Sequence, residues 1–410
     1  MIENTSIAYR AHHLYMDDVP IPELLAHNET PFYVYSLPRV LHNYRRIQQT
    51  FALLKPHIHY SAKANANLAV LRALIAAGAG IDAVSMGEIQ RALYAGAQPQ
   101  HVVFAGVGKT LAEIRYALEQ GVGWFNVENL LECRLIDAQA QQYGQRARIA
   151  LRLNPDIQAD THPHIATGHG KAKFGLPAAQ IAAILAQQSD YPFLDFAGIH
   201  VHIGSQLRSP HATRAAIERA LELIAPYPNI RTVNIGGGLP VAYAPNEYVP
   251  SWADFADTLT PLLAGYEVLL EPGRAVVADA GLLLTTVLYR KEYAEPAFVI
   301  CDASMSELLR PALYNAHHEI VPVVRTETAP QPVTLVGPVC ESTDVLGTLT
   351  YSAQPGDTLA ILTAGAYGLV MSSNYNQRPR PAEIVVGADG RTWRVVRRRE
   401  ALDDLLRFES

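Results

Sequence analysis
Between about residue 58 and residue 275, short apolar runs alternate with stretches whose apolar residues recur every three or four positions. The runs Ile58–Lys63, Ile81–Ser85, Val102–Gly106, Gly123–Val127, Ile149–Asn154, Phe196–Ile203, Thr232–Gly236 and Tyr266–Glu271 read as strands. Helical stripes lie between them. Leu68, Leu71, Leu74 and Ile75 form one, ended by Gly78. Leu111, Ile114, Ala117 and Leu118 form a second, stopped by Gly121, and Ile217, Ala220, Leu221 and Ile224 a third, stopped by Pro226. Strands that are apolar on both faces and separated by helices imply a parallel sheet. Eight such units in ~220 residues suit a closed βα barrel better than an open sheet.

After about residue 280 the rhythm changes. Leu282–Tyr289, Phe298–Asp302, Ile320–Val324, Val333–Val339, Asp357–Leu362 and Glu383–Val386 read as strands with turn residues between them and few helical stripes. Phe32–Tyr35, ahead of the barrel, reads as a strand of the same domain. The predicted class is α/β plus β: a (βα)8 barrel over residues 37–280, and a β-rich domain built from 1–36 and 281–410.

Composition narrows the function. Apolar residues make up 49% and charged residues 18% of the 410, which excludes a disordered chain. The net charge of −6 offers no basic excess for a phosphate backbone, so no nucleic-acid partner is expected. Arg397, Arg398 and Arg399 are followed by Glu400, Asp403 and Asp404 and read as a solvated face. Cys133, Cys301 and Cys340 are too far apart for a disulfide framework, which fits a reducing cytoplasm. The first 25 residues carry charges and no apolar signal-peptide core, and no ~18-residue uncharged apolar run is present, so no membrane partner is expected either. A small-molecule enzyme is the remaining expectation.

Barrel active sites lie at the C-terminal ends of the strands. Those ends offer Lys63, Asp82 with Ser85, Gly106, Asn126, Asn154, His202 with Ser205, the run Gly236-Gly237-Gly238, and Glu271. Lys63 is either a lysine for Schiff-base or proton-transfer chemistry or a surface residue just past its strand. The glycine run lets backbone approach an anion closely, and a phosphate cradle is the better reading than a flexible turn. Gly106-Val107-Gly108-Lys109-Thr110 resembles the end of a P-loop, but Val103 stands where that motif needs its first glycine. Glu271 suits a proton, a metal or a protonated ring nitrogen, and Arg274 suits a carboxylate; a structural ion pair explains them as well. The pairs His57/His59, His162/His164 and His200/His202 admit a metal-dependent barrel hydrolase as an alternative. A lone histidine packed over a planar ligand explains His202 equally. Beyond the barrel, Arg310 and Tyr314 are either substrate contacts or ordinary surface, and Cys340-Glu341-Ser342 reads as a polar turn.

Taken together, these stretches resemble the pyridoxal-phosphate decarboxylases of the alanine racemase-like barrel fold, and more narrowly the diaminopimelate decarboxylase family. The resemblance runs through Tyr60-Ser61-Ala62-Lys63-Ala64-Asn65, His202-Ile203-Gly204-Ser205-Gln206, Gly236-Gly237-Gly238 and Glu271-Pro272-Gly273-Arg274. It continues through Arg310-Pro311-Ala312-Leu313-Tyr314, Cys340-Glu341-Ser342, Gly365-Ala366-Tyr367-Gly368, and Asn374-Tyr375-Asn376 with Arg378-Pro379-Arg380-Pro381. It implies pyridoxal 5'-phosphate held covalently by Lys63 and stacked by His202. Ser205, Gly236, Gly237, Gly238 and Tyr367 would hold the phosphate, and Gly273 and Arg274 would also contact the cofactor. Glu271 would pair with the ring nitrogen, and Cys340 would donate the proton to the α-carbon. Arg274, Arg310, Tyr314, Glu341 and Tyr367 would bind an amino-acid substrate. Two arginines suit a distal carboxylate and Glu341 a distal ammonium, which together describe meso-diaminopimelate, with L-lysine and carbon dioxide as products. A homodimer with shared active sites is also implied. Ser304, Met86 and Asn315 depart from the family's usual residues and leave a related decarboxylase for another carboxylated amino acid as an alternative. A racemase of the same fold would place a cation, not Glu271, at the ring nitrogen. A non-catalytic cofactor carrier would lack the second domain.

Overall fold
The computed structural model describes residues 4–157, 167–168, 172–293, 296–325 and 331–409. They form two compact units. One comprises Tyr44–Pro240 and Val249–Ala275; the other comprises Met1–Asn43, Val241–Tyr248 and Val276–Ser410.

The first unit is a closed parallel barrel. Its strands are β1 (His57–Ser61), β2 (Gly80–Ala83), β3 (Val102–Phe104), β4 (Trp124–Val127), β5 (Ala147–Asn154), β6 (Leu194–Val201), β7 (Thr232–Asn234) and β8 (Glu267–Leu270). Each pairs in parallel with the next, and β8 returns to β1 through Leu269 opposite His57 and Leu270 opposite Ile58. All eight predicted strands are present, with their ends displaced by no more than two residues. Val103, Trp124, Ala150 and Leu269 pack together as a buried cluster. Gly198 in β6 leaves that cluster room: a Cβ there would lie 3.2 Å from the Ala150 Cβ and 3.2 Å from the Trp124 ring.

Local signals set the helices between the strands. Thr110 caps helix Leu111–Gln120 and exchanges a capping box with Glu113, and Gly121 ends it at φ 73°. Asn67, Ser85 and Asn129 accept backbone N–H bonds at the starts of helices Leu68–Ala76, Met86–Tyr94 and Leu130–Gln142. Most of each predicted stripe turns inward, since Ile114, Ala117, Leu118, Leu71, Leu74, Ile217, Ala220 and Ile224 are buried, whereas Leu111 at the start of its helix is exposed and Leu68, Ile75 and Leu221 are partly so.

The second unit is β-rich. Strand Gly281–Lys291 is its axis and pairs antiparallel with Phe32–Ser36, Ala297–Cys301 and Thr358–Ile361. Phe32–Ser36 also pairs in parallel with Ala382–Val386, so this early strand joins the late domain as expected. Phe32, Val34, Leu282, Leu284, Ala360 and Ile384 share one core. Several strands lack a legible signal. Val345–Leu349 and Trp393–Arg397 are short edge strands with mostly part-exposed side chains, so their sequences show little apolar run. The antiparallel ribbon of Ile7–Arg10, His13–Met16 and Val19–Pro20 is masked by charges, although Leu14, Met16 and Val19 are buried. Among the described residues no helix is long and apolar enough to cross a membrane.

Candidate active site
The barrel unit gathers most of the predicted groups at its C-terminal rim. Lys63 sits in the single 3-10 turn Ala62–Ala64 just beyond β1. Its side chain is 42% exposed, and Nζ lies 3.5 Å from Oδ2 of the fully buried Asp82 on β2. Placement past the strand, not within it, lets the amine reach solvent while a carboxylate supports its charge. Ser61 Oγ lies 2.6 Å from Asp82 Oδ2 and 3.0 Å from the Glu271 backbone oxygen.

Glu271 directly follows β8 and is buried. Its Oε1 accepts hydrogen bonds from Asn126 Nδ2 (2.8 Å) and Asn234 Nδ2 (2.6 Å). Its Oε2 lies 3.2 Å from His200 Nε2. Burial opposes ionisation of Glu271, but His200, Asn234 and Lys63 together outweigh it and hold the carboxyl below the usual range. Asp82 moves the other way, because burial and the neighbouring Glu271 charge disfavour its anion. The site therefore holds one carboxyl, Glu271, below its usual range and a second, Asp82, above it.

His202 lies just past β6. Gly237 N–H donates to its Nδ1 at 3.3 Å, which leaves the proton on Nε2. Desolvation, with Arg152 and Lys63 nearby, holds the imidazole well below its ordinary pKa, so the ring is a neutral, flat surface near neutral pH. The glycine run beside it has little space for side chains. A Cβ on Gly237 would lie 2.4 Å from the Glu271 oxygen, and one on Gly238, at φ 99°, would lie 2.7 Å from Leu207 Cδ1. A Cβ on Gly273 would lie 3.1 Å from both Ala64 Cβ and Ser61 Cβ. Ser205 Oγ accepts from Arg274 Nε at 3.2 Å, and Arg274 is itself buried.

Some groups that stand out in the sequence are structural. Lys109 donates to the Gly106 and Asn126 carbonyls and to Glu132 Oε1, at 2.8, 2.6 and 2.6 Å. All three ammonium protons are used, so Lys109 ties two strand ends together. His57 is exposed beside Glu267, whereas His59 and His200 are buried. His162 and His164 lie outside the described residues. Among the described residues no group of three His, Cys, Asp or Glu side chains is placed to hold a metal ion.

The β-rich unit carries the remaining candidates. Arg310, in helix Arg310–Tyr314, is buried with its guanidinium 4.3 Å from the Tyr243 ring centroid and Nη1 2.8 Å from His318 Nε2. The other His318 nitrogen is 2.9 Å from the Leu362 carbonyl, which requires N–H at Nδ1 and makes Nε2 the acceptor for Arg310. Tyr314 is half-buried. Cys340 and Glu341 are exposed. Their turn is held from below: Asp344 accepts from Met305 N–H (2.6 Å) and Val339 N–H (2.9 Å), and Asn376 Oδ1 accepts from Cys340 N–H (2.8 Å). Tyr367 adopts φ 55° next to Gly368, where a Cβ would lie 2.7 Å from the Ala364 oxygen.

The sequence reading lacks Asn234, His318 and Tyr243, and assigns Asn126 and His200 no part beside Glu271. Asn234 carries a usable signal: a polar residue on a barrel strand two positions before the glycine run.

Comparison with known proteins agrees with this geometry. Residues 37–278 match the family described as "Pyridoxal-dependent decarboxylase, pyridoxal binding domain". Diaminopimelate decarboxylase of Pseudomonas aeruginosa is 41% identical over 412 residues, covering 99% of each chain. A crystal structure of diaminopimelate decarboxylase from Helicobacter pylori, complexed with L-lysine, superposes with TM-score 0.89 at 39% identity, covering 95% of this chain and 99% of that one. One from M. jannaschii, also in complex with L-lysine, gives TM-score 0.93 at 33% identity, covering 100% and 99%.

The residues fit the cofactor these relatives imply. An aldehyde needs an amine, which Lys63 supplies at the rim. A phosphate needs closely approaching backbone, which the side-chain-free space around Gly237 and Gly238 permits. A pyridinium needs an anion, and Glu271 is held as one. On family match, full-length relatives and site chemistry alike, the chain belongs to the diaminopimelate decarboxylase family of pyridoxal-phosphate-dependent carboxy-lyases.

Proposed function
We propose that the protein removes carbon dioxide from meso-diaminopimelate to give L-lysine. One carbon–carbon bond breaks, its electron pair stays with the α-carbon, and a proton takes the place of the lost carboxylate. The observation that carries the reading is Glu271, a buried anion at the end of β8. Bound pyridoxal phosphate supplies an electron sink for that pair while its ring nitrogen is protonated. Glu271 keeps that nitrogen protonated, where a cation would weaken the sink and favour racemisation.

Each further residue has a task. Lys63 would hold the cofactor's aldehyde through its amine, within reach of the Asp82 carboxyl. The neutral His202 ring would pack on the face of the cofactor and exclude water from that side. Ser205, Gly236, Gly237, Gly238, Gly273, Arg274 and Tyr367 bind the phosphate end. Arg274, Arg310, Tyr314 and Tyr367 receive the substrate, with the distal carboxylate on the arginines and the distal ammonium on Glu341. The L-lysine in the two related crystal structures supports this product. Placing the leaving carboxylate away from strong cations and water favours its departure. Cys340 donates the proton to the α-carbon. A cytoplasmic homodimer, in which the Cys340 turn of one protomer serves the partner's site, completes the reading; the exposure of that turn supports it.

The test is an absorbance spectrum with added pyridoxal phosphate, followed by assay of lysine and carbon dioxide from meso-diaminopimelate. The expected result is a band near ~420 nm, lost in Lys63→Ala, with lysine formed only by the parent protein. A band without lysine would transfer the same chemistry to another carboxylated amino acid. Absence of the band with added cofactor would remove Lys63 from its role.

A further inference from the structure
Asn234 stands between two parts of the cofactor site. Its amide has a donor side and an acceptor side, and both are used. Nδ2 donates to Glu271 Oε1 at 2.6 Å, and Oδ1 accepts from Gly236 N–H at 2.9 Å. The reverse orientation of the amide would oppose oxygen to carboxylate and N–H to N–H, so the assignment is fixed by its partners. A second link runs alongside, because Glu271 N–H donates to the Gly236 carbonyl at 2.8 Å. Asn234, Gly236 and Glu271 thus form a closed ring of hydrogen bonds, with Asn234 almost fully buried. The next glycine presses on the same point: the space for a Cβ on Gly237 is taken by the Glu271 carbonyl oxygen.

Asn126 provides a natural contrast. It donates to the same Oε1 from the opposite side of the barrel, at 2.8 Å. Its own Oδ1 is buried with no hydrogen-bond partner among the described residues. Asn126 therefore holds the carboxylate but does not reach the glycine run.

We propose that Asn234 is a positioning residue that ties the carboxylate of Glu271 to the glycine cradle. The group facing the cofactor's ring nitrogen and the backbone facing its phosphate are then held in one fixed relation. This inference rests on the cofactor placement given under Proposed function. Decarboxylation needs both ends held together, since the ring must stay protonated while the phosphate anchors it against the departing carboxylate. An amide is suited to this task. An aspartate would place a second anion against Glu271, and an alanine would leave the Gly236 N–H and one Glu271 lone pair without partners.

The test compares the cofactor-loaded parent with Asn234→Ala, Asn234→Ser and Asn126→Ala. Three readouts are taken: the 31P resonance of the bound phosphate, the ring absorbance band, and the affinity for added pyridoxal phosphate. Thermal melting checks that each variant is folded. Asn234→Ala should move both the phosphate resonance and the ring band and weaken cofactor binding about tenfold. Asn126→Ala should move the ring band alone and weaken binding less than about threefold. Asn234→Ser keeps a short acceptor for the N–H two residues on but loses the reach to Glu271. It should restore the phosphate resonance and leave the ring band shifted. The proposal is overturned if Asn234→Ala leaves the phosphate resonance in place, or if Asn126→Ala moves it equally. If Asn234→Ala does not fold, Asn234→Ser decides the matter, and an unmoved ring band there overturns the proposal. A parent protein that takes up no cofactor overturns the underlying placement, and that result is distinct from both.

Discussion

The barrel rim and the loops of the β-rich unit carry reactive groups in opposite ways. At the rim, charge is buried and fixed by many partners. Glu271 has two amides and His200 around it, and Arg152 is clamped to Glu128 at 2.6 Å with both side chains nearly inaccessible. In the β-rich unit, Cys340 and Glu341 face solvent, and their backbone is what is held. On the roles proposed above, the difference reflects two tasks. A cofactor that stays bound needs preorganised charge in a dry site, where each interaction is stronger than in water. A group that meets each new substrate needs access, with its position set by the scaffold beneath. Changes at the rim should therefore disturb stability and chemistry together, and changes in the exposed turn should disturb chemistry alone.

The largest effect is expected at the rim. Glu271→Gln removes the anion and turns an amide N–H toward donors that already point inward. The expected loss in kcat is about 10²- to 10³-fold, with a clear fall in melting temperature and a shifted ring band. The pH sign follows from the depressed carboxyl. Its stabilising contribution is complete above the unfolded-state pKa and is lost as pH falls through the lower folded value. The parent's advantage over Glu271→Gln in denaturant titrations should thus be full at pH 7 and shrink in acid. An unchanged melting temperature would break the comparison on its first side.

Cys340→Ala tests the other side. On the proposed role of Cys340, loss of the proton donor costs about 10²-fold in kcat, while substitution of an exposed side chain leaves stability within about 0.5 kcal/mol. Cofactor affinity should match the parent. A variant that melts early would show that the turn is part of the scaffold and not a group presented by it.

A smaller effect comes from the barrel interior. Burial pushes the His59 imidazole down to about 4 from an ordinary value of 6.5. Between those values the unfolded chain binds a proton that folded His59 refuses, so stability rises with pH across that window. The depression corresponds to about 3 kcal/mol at most. His59→Gln should flatten the pH dependence of unfolding between pH 6.5 and 4. The lowered pKa of His202 acts in the same direction and remains in the variant. Parallel profiles for parent and variant would remove His59 from this account.

The same contrast explains what could be read from the sequence. Strands buried on both faces are rich in apolar residues, so β1 to β8 were all legible even though β1 carries His57 and His59 and β5 carries Arg148 and Arg152. Lys63 and Glu271 stood out as candidates because each charge ends an apolar strand, and the readings as a surface lysine and a structural ion pair stood open beside them. Asn234 and His200 were harder. Their meaning lies in what faces them across the barrel, and parallel pairing brings together residues far apart in the chain. In the β-rich unit, Val345–Leu349 and Trp393–Arg397 carry too little buried surface to mark themselves. Lys109 shows the converse: a conspicuous residue whose three bonds make it a staple.

The smallest expected effect separates presentation from chemistry. Asn376 accepts the Cys340 N–H at 2.8 Å and itself sits at φ 54°. Two functions are combined in one residue, and two substitutions divide them. Asn376→Gly tolerates the left-handed backbone but removes the acceptor. Asn376→Ala removes the acceptor and adds a backbone penalty of about 1 kcal/mol. Both variants loosen the turn beneath Cys340 without touching the thiol. Each should lower kcat about threefold and leave KM and cofactor affinity at the parent values, and only Asn376→Ala should melt earlier. If Asn376→Gly lowered kcat as far as Cys340→Ala does, the hydrogen bond would be setting the geometry of the proposed proton donor outright. If it changed nothing, the turn would keep its shape through Asp344 alone, whose carboxylate accepts from Met305 and Val339.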